Sequence, residues 1–164
     1  NVSANVLGLC DCIMLHPAPL PKYRGGSPIQ NQIIAREKDS AITLFIMSEE
    51  LDAGDIIAQE KLSLKGHLEE ILERMSEIGL RLTLNILKNR HTKTPQDHSQ
   101  ATYCKRRKPE ESEITKEELA TLSAEHLYDK VRMLEDPYPN AFIRMADGGR
   151  LIIKRAEFEP PASL

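Results

Sequence analysis

The sequence predicts an α/β fold, and two observations support that prediction. Residues 41–47, "AITLFIM", are rich in the β-branched and aromatic side chains that buried strands prefer, and residues 56–64, "IIAQEKLSL", form a second strand-like run. A helix is predicted before the first of these strands and a longer helix after the second. Strands and helices that alternate in this order are typical of a layered α/β sheet.

Two predicted helices flank these strands. Ser27 followed by Pro28 has the form of a helix start, with serine as the N-cap and proline at the first helical position. From about residue 67 to residue 88, apolar side chains recur every three or four positions. This spacing predicts a long amphipathic helix with one face on the core.

The chain divides into three parts by composition. We assign residues 1–92 to the α/β layer and residues 93–108, which are polar and lack any period, to a linker over the surface. In residues 109–164, Ser123 is the predicted N-cap of a short helix, and apolar runs joined at "DGG" (147–149) predict a β-hairpin. We expect the beginning of a small β-rich domain there, cut short by the end of the sequence.

Composition and charge exclude several classes of protein. The 164 residues are 40% hydrophobic and 29% charged, which suits one core with a small second unit. No apolar run approaches the ~20 residues that cross a bilayer, so we expect no membrane partner. The net charge of −3 gives no reason to expect nucleic acid as a bulk electrostatic partner. An odd set of cysteines, Cys10, Cys12 and Cys104, predicts reduced thiols in a cytoplasmic protein.

One short segment, "HPAPLPKYRGGSPIQ", combines unusual residues. It begins at His16, continues with three prolines that restrict the backbone, and contains the flexible pair Gly25–Gly26. Such a segment is typical of a shaped loop that holds a titratable group, and a histidine near neutrality can donate or accept a proton. The plainer alternative is a histidine that only hydrogen-bonds within its loop.

A second candidate lies in the turn "LDAGD" that follows the first predicted strand. Asp52 can supply a carboxylate there, although aspartate also commonly closes such a turn, and Asp55 fits that role equally well. The apolar run "CIML" (12–15) suits a buried strand end, so His16 and Asp52 both follow the ends of predicted strands, where sites in open α/β sheets gather. A histidine beside a carboxylate is the usual acid–base pair, in which the carboxylate sets the tautomer and stabilises the imidazolium.

These two segments together resemble the pattern of a known family. That pattern is Asn-x-His-x-Ser-x-Leu-Pro-x-x-x-Gly, followed about 35 to 40 positions later by the aspartate of a Leu-Asp-x-Gly turn. His16 matches the histidine, and Asp52 lies 36 positions after it. From residue 13 onward the chain resembles the 10-formyltetrahydrofolate-dependent formyltransferases, whose branches include those that act on aminoacyl-tRNA and on amino sugars. The resemblance implies part of a doubly wound, Rossmann-like catalytic domain in residues 1–92, followed by the start of a small, OB-like β-rich C-terminal domain.

The resemblance also implies roles within a site. It implies transfer of a formyl group from 10-formyltetrahydrofolate to a primary amine, with His16 as acid or oxyanion partner and Asp52 as base or orienting group. The pterin of the donor is expected against Ser48, Glu49, Leu51 and Asp52. The acceptor side is expected at Pro21, Tyr23, Arg24 and Gly25, with Arg24 contacting the acceptor. No metal is expected, because the other histidines lack ligand spacing with any cysteine or carboxylate cluster.

The acceptor stays open between two chemical classes, a nucleotide-linked amino sugar and an aminoacyl-tRNA. The segment "PYPNAF" and the weak basic balance slightly favour the small sugar nucleotide. A basic run followed at once by acids, "CKRRKPEE", is interpreted as a solvated linker, with a nucleic-acid patch as the alternative.

Two departures from the family pattern bear on activity. Met14 stands where the pattern has asparagine, and a thioether cannot donate a hydrogen bond to an oxyanion, a loss that typically lowers rates about 10²- to 10³-fold. Family members also carry about a hundred residues before this point, half of a doubly wound domain, so we expect a fragment or a truncated form. The alternative prediction is a non-catalytic relative that acts as a binding module or is inactive.

Overall fold

The helices and strands of the first part follow the predicted pattern. The computed structural model describes Leu7 and residues 9–161. In residues 9–161 the helices are α1 (Pro28–Ile34), α2 (Leu68–Lys88), α3 (Lys116–Thr121) and α4 (Ala124–Arg132). The strands are β1 (Ile13–His16), β2 (Arg24–Gly25), β3 (Asp39–Ile46), β4 (Ile56–Ser63), β5 (Tyr103–Cys104), β6 (Ala141–Arg144) and β7 (Arg150–Ile153).

A three-stranded sheet in the order β1-β3-β4 forms the centre of the first part. Its middle strand, β3, is buried from Ser40 to Phe45, because strands cover both of its edges and helix α2 packs on the sheet. β1 and β4 both run antiparallel to β3, with His16 opposite Thr43 and Met14 opposite Phe45. Since side chains alternate along a strand, Met14 and His16 face the same side of the sheet.

Helix α2 has the predicted amphipathic pattern. Leu68, Ile71 and Leu82 are buried in the hydrophobic core beside β3 and β4, whereas Leu80 and Leu87 are exposed. The apolar stripe therefore faces the sheet, as the three-and-four spacing requires. In the part of the chain that the structure describes, no helix has both the length and the apolar character needed to cross a bilayer.

One hydrophobic cluster joins both halves of the chain. It contains Ile42 and Leu62 of the sheet, Val131 of α4, Met133 just after that helix, and Ala141 of β6. Removal of such apolar surface from water is the main favourable term in folding. Helix α4 and strand β6 therefore share a core with the sheet.

The C-terminal half contains the predicted helix and hairpin. The hydroxyl of Ser123 accepts a hydrogen bond from the backbone N–H of His126 at 3.2 Å and so caps α4. β6 and β7 pair antiparallel around a turn in which Gly148 has a φ of 86°. Helix α3, which Thr115 caps, is not predicted from the sequence, because its 6 residues are too few to establish a period.

Helix α1 begins at Pro28, as predicted, but Ser27 does not cap it through its side chain. Ser27 has a left-handed φ of 52°, and its hydroxyl accepts a hydrogen bond from the backbone N–H of Arg107 at 3.1 Å. The predicted helix start, with Ser27 as the N-cap residue, is confirmed, but the serine hydroxyl accepts its hydrogen bond from the polar segment after α2 instead of from the helix.

That polar segment pairs with the loop that carries the prolines and glycines. Strand β5 lies parallel to β2, with Arg24 opposite Tyr103, and the N–H of Arg24 donates to the carbonyl oxygen of Thr102 at 2.8 Å. Earlier in the same segment, Gln96 is buried. A two-residue strand shows no alternation, so the sequence pattern predicts only a surface linker here.

Candidate active site

His16 ends strand β1, and its imidazole is buried. Its Nε2 lies 2.8 Å from the carbonyl oxygen of Tyr23, and its Nδ1 lies 3.7 Å from Oδ2 of Asp52. Because a carbonyl oxygen can only accept, Nε2 carries a hydrogen, and Nδ1 is the nitrogen that can gain or lose a proton. Protonation of Nδ1 therefore places a positive charge beside the aspartate.

Asp52 occupies the turn after β3 and has a left-handed φ of 50°, which aspartate adopts more readily than most residues. Its Oδ2, which faces His16, accepts a hydrogen bond from the N–H of Gly25 at 2.8 Å. Asp55, the alternative carboxylate of this turn, is not among the described residues that line the cavity beside His16. Its carbonyl oxygen accepts a hydrogen bond from the N–H of Ile46 at 2.9 Å. The structure therefore brings His16 together with Asp52.

Gly25 lets the site loop approach strand β5 closely. Its φ of 106° is one that L side chains rarely adopt, and an added Cβ would lie under 3.0 Å from the carbonyl oxygen of Cys104. Glycine is thus needed where β2 meets β5, at the point where its N–H reaches Asp52.

A cavity of about 750 Å³ opens beside His16 and Asp52. Small-molecule sites typically span ~300–1,000 Å³, so the cavity has the size of a ligand site. A larger groove of about 1040 Å³ runs along α2 near Glu135 and Lys154, but its described lining residues include no histidine–carboxylate pair. The histidine–carboxylate pair therefore lies at the smaller cavity.

All the residues predicted to bind the donor line this cavity. They follow β3 directly, so that the end of one strand presents them together. Leu51 is 57% exposed and offers apolar surface, and its neighbours offer hydroxyl and carboxylate groups. The set consists of Ser48, Glu49, Leu51 and Asp52.

The residues predicted on the acceptor side are not all brought to the cavity. Gly25 lines it, whereas Pro21, Tyr23 and Arg24 are not among its described lining residues. The Tyr23 hydroxyl donates to Glu37 at 2.8 Å, and burial together with that hydrogen bond raises the pKa of Tyr23 to about 12. Arg24 is buried inside the protein. Its contact with an acceptor stays a prediction.

Two further candidates lie in the predicted linker, where the sequence pattern predicts only a solvated surface segment. Buried Gln96 donates from Nε2 to the carbonyl oxygens of Asp52, at 2.9 Å, and of Gly54, at 2.7 Å. Exposed Arg106 lines the cavity. The basic run could have indicated Arg106, but its acidic neighbours favoured a solvated segment. No local pattern marks a single buried glutamine.

Met14 contributes an apolar wall on the same side as His16. It lines the cavity and lies opposite Phe45, whose ring meets the imidazole edge-on with 6.5 Å between ring centroids. A thioether offers no N–H where the family pattern has an amide. Met14 therefore adds no hydrogen-bond donor to the cavity beside His16.

The charge at Asp52 contributes to the pKa of the Cys104 thiol. Its Sγ donates to the carbonyl oxygen of Arg24 at 3.4 Å, which places it just behind the site loop. Burial raises the pKa of Cys104, and the nearby Asp52 carboxylate raises it further. The thiol is therefore a natural probe of this carboxylate.

The fold and the site define an α/β protein with a histidine–aspartate pair beside a ligand-sized cavity. Two family models match the chain, "Formyl transferase" over residues 9–87 and "Methionyl-tRNA formyltransferase, C-terminal domain" over residues 109–160. The chain belongs to the formyltransferase family. The resemblance drawn from the sequence is thereby confirmed, together with the Rossmann-like catalytic domain and the start of a C-terminal domain.

Named relatives agree with this assignment. The methionyl-tRNA formyltransferase of Moorella thermoacetica is 36% identical over 159 residues, which are 93% of this chain and 49% of that protein. That of Lysinibacillus sphaericus is 38% identical over 143 residues, or 84% of this chain and 44% of that protein. The chain thus spans about half the length of the curated relatives it matches.

Solved structures share the same architecture. Methionyl-tRNA formyltransferase from Clostridium thermocellum matches with a TM-score of 0.87 and 34% identity, over 97% of this chain and 68% of that one. A 4-N formyltransferase from Francisella tularensis matches with a TM-score of 0.80 and 23% identity, over 96% of this chain and 66% of that one. The second likeness concerns the fold alone.

Proposed function

We propose that this chain transfers a formyl group from a 10-formyltetrahydrofolate donor to a primary amine. The observation that carries the proposal is the approach of His16 Nδ1 to Asp52 Oδ2, at 3.7 Å, beside a cavity of about 750 Å³. Membership of the formyltransferase family supports the reaction type.

The two side chains have separate roles, Asp52 in the proton transfers and His16 in stabilising the oxyanion. The donor supplies an electrophilic formyl carbon. The acceptor nitrogen forms a bond to that carbon, and Asp52 accepts the proton that this nitrogen loses. His16, protonated at Nδ1, stabilises the negative charge that develops on the formyl oxygen. The bond from the formyl carbon to the folate nitrogen then breaks, and the proton held at Asp52 passes to that nitrogen, so that atoms and charge balance.

The residues after β3 fit the donor by their chemistry. A pterin needs apolar contact for its ring face and polar partners at its edge. Leu51, which is 57% exposed, offers the first, and Ser48, Glu49 and Asp52 offer the second. HypX from Aquifex aeolicus, which shares this fold with a TM-score of 0.69 and 22% identity, has been determined in complex with tetrahydrofolic acid. We therefore assign these four residues to the donor.

Methionyl-tRNA is the acceptor that the comparisons favour. The Moorella and Lysinibacillus relatives carry that name, and the family model over residues 109–160 belongs to the same enzyme. Exposed Arg106 places a positive charge on the cavity wall, where a tRNA would bring phosphates. A nucleotide-linked amino sugar, which the sequence slightly favours, is the alternative acceptor. Acceptor binding that weakens steeply with salt supports the tRNA.

A second candidate function is a binding module without catalysis, and Met14 is the observation that favours it. Its thioether lines the cavity where the family pattern supplies an amide donor for the oxyanion. Such a module would retain the cavity and bind the folate without transferring its formyl group.

Calorimetric titration with a non-reactive formyl-folate analogue tests the proposal, on the wild-type chain and on Met14→Asn in parallel. We expect both to bind the analogue, because the residues after β3 are unchanged. In a parallel rate assay with 10-formyltetrahydrofolate, we expect Met14→Asn to transfer formyl groups faster, by up to about 10²- to 10³-fold, because the amide restores a donor to the oxyanion.

The two candidate functions predict different results in the binding titration and the transfer assay. Binding to both proteins without transfer to methionyl-tRNA or to an amino-sugar nucleotide would support the binding module. Absence of binding to either protein, in samples that unfold cooperatively, would rule out a working donor site in this chain.

A further inference from the structure

Arg24 is a buried cation with no carboxylate among its described hydrogen-bond partners. The residue is 1% exposed, and none of the ion pairs among the described residues includes it. Its Nε and Nη2 donate to Oε1 of Gln96 at 3.2 Å and 2.6 Å. Its Nη1 donates to the hydroxyl of Tyr103 at 3.2 Å and lies 3.5 Å from Nδ1 of His98. A buried guanidinium needs acceptors for its rigid fork of N–H groups. Gln96 therefore supplies its main acceptor.

Gln96 connects this cation to the turn that carries Asp52. Because its amide oxygen faces the guanidinium, its amide nitrogen must face the opposite way. That nitrogen donates to the carbonyl oxygens of Asp52, at 2.9 Å, and of Gly54, at 2.7 Å. Gln96 is itself 5% exposed, so water competes little for these hydrogen bonds. The glutamine thus clamps the backbone of the turn.

The turn needs such a clamp. Asp52 has a φ of 50°. Aspartate adopts this left-handed conformation more readily than most residues, but the conformation still costs free energy, and contacts with the surroundings stabilise it. The N–H of Gly25 holds the Asp52 carboxylate, whereas Gln96 holds the Asp52 backbone.

We propose that Gln96, anchored by the Arg24 guanidinium, is a positioning residue that fixes the turn and so places the Asp52 carboxylate beside His16. The inference deepens the proposed function and rests on it for the rate measurement below. It assigns a role in the reaction to a segment that the sequence predicts to be a surface linker.

Gln96→Glu separates positioning from general structural support. The variant keeps an oxygen toward Arg24 and gives that cation a carboxylate, a stronger partner than an amide. It removes both N–H donors to the turn and sets a negative charge against the carbonyl oxygens of Asp52 and Gly54. Gln100→Glu is the matched control, because Gln100 is an exposed glutamine of the same segment and receives the same change of charge.

Two measurements report on the position of the turn, one by NMR spectroscopy without catalysis and one by enzyme kinetics. In ¹H–¹⁵N spectra, the amide of Gly25 reports its hydrogen bond to Asp52 Oδ2. We expect this resonance in Gln96→Glu to move toward its position in Asp52→Asn, and to stay in place in Gln100→Glu. We expect kcat for formyl transfer to fall about 10- to 100-fold in Gln96→Glu with KM for the amine within about twofold, because a displaced catalytic group lowers kcat steeply.

Gln96→Met provides a second variant that removes the donors without adding charge. If Gln96→Glu or Gln96→Met folds and leaves the Gly25 amide at its wild-type position, the proposal is overturned. If neither variant folds, Gln96 is a structural residue and the positioning role is likewise overturned. If the wild-type chain transfers no formyl group, the proposed function fails, while the Gly25 resonance still decides the role of Gln96.

Discussion

Replacing Gly25 by alanine should break the contact between the site loop and strand β5. Gly25 has a φ of 106°, and an added Cβ would lie under 3.0 Å from the carbonyl oxygen of Cys104. Gly148→Ala is the matched control, because Gly148 also has a positive φ, of 86°, but its added Cβ would meet nothing within 4 Å. The difference between the two variants isolates the clash from backbone strain.

The structure sets the size of this difference. A left-handed backbone costs an alanine about 1–2 kcal/mol, and we expect nothing further in Gly148→Ala. Gly25→Ala adds overpacking of about 1–3 kcal/mol. Moving the strand also weakens the Gly25 hydrogen bond to the Asp52 carboxylate, and a bond to a charged group contributes about 1.5–3 kcal/mol. Gly25→Ala should therefore lose roughly 2.5–6 kcal/mol more than Gly148→Ala.

Urea unfolding followed by circular dichroism measures this difference for the wild type and both variants. Equal m-values would show that the same surface is exposed on unfolding in each protein, so that the free energies of unfolding can be compared directly. An excess loss below about 1 kcal/mol in Gly25→Ala would refute the close approach of β2 to β5.

Two further predictions concern the site and the core. Asp52→Asn removes a charge that, together with burial, raises the pKa of Cys104. That pKa should fall, and alkylation of the thiol at mildly alkaline pH should become faster. The measurement uses a protein in which the two N-terminal cysteines are replaced by serine, and an unchanged pH profile would contradict the prediction. Leu82→Ala in α2, at a position 8% exposed, should cost about 2–5 kcal/mol. Leu80→Ala, at a position 63% exposed, should stay within about 0.5 kcal/mol. Equal losses in the two leucine variants, measured by urea unfolding, would mean that the other face of α2 lies on the core.

The elements with strong local patterns were predictable from the sequence. Helix α2 repeats its apolar positions over 21 residues, and β3 concentrates β-branched side chains, so each pattern has one sensible interpretation. The C-terminal hairpin was predictable because its Asp-Gly-Gly turn fits the positive φ at Gly148.

The rest depends on contacts between distant segments. Strand β5 has two residues and exists because it pairs with β2, some 80 positions earlier, as the register of Arg24 with Tyr103 shows. Asp52 and Asp55 fit the turn equally well in sequence, and only the hydrogen bond from Gly25 and the approach to His16 distinguish them. The proposed role of Gln96 depends on hydrogen bonds to residues far away in the sequence, and no local sequence pattern indicates such contacts.

The most direct test of the central claim is the initial rate of formyl transfer from 10-formyltetrahydrofolate to methionyl-tRNA. The wild-type chain is compared with Asp52→Asn and with Asp55→Asn, which changes the other carboxylate of the same turn. We predict measurable transfer in the wild type, a fall of about 10²-fold or more in Asp52→Asn, and a rate near wild type in Asp55→Asn, since general acid–base groups typically contribute 10²- to 10⁴-fold. No transfer by the folded wild-type chain, or equal losses in both variants, would contradict the account.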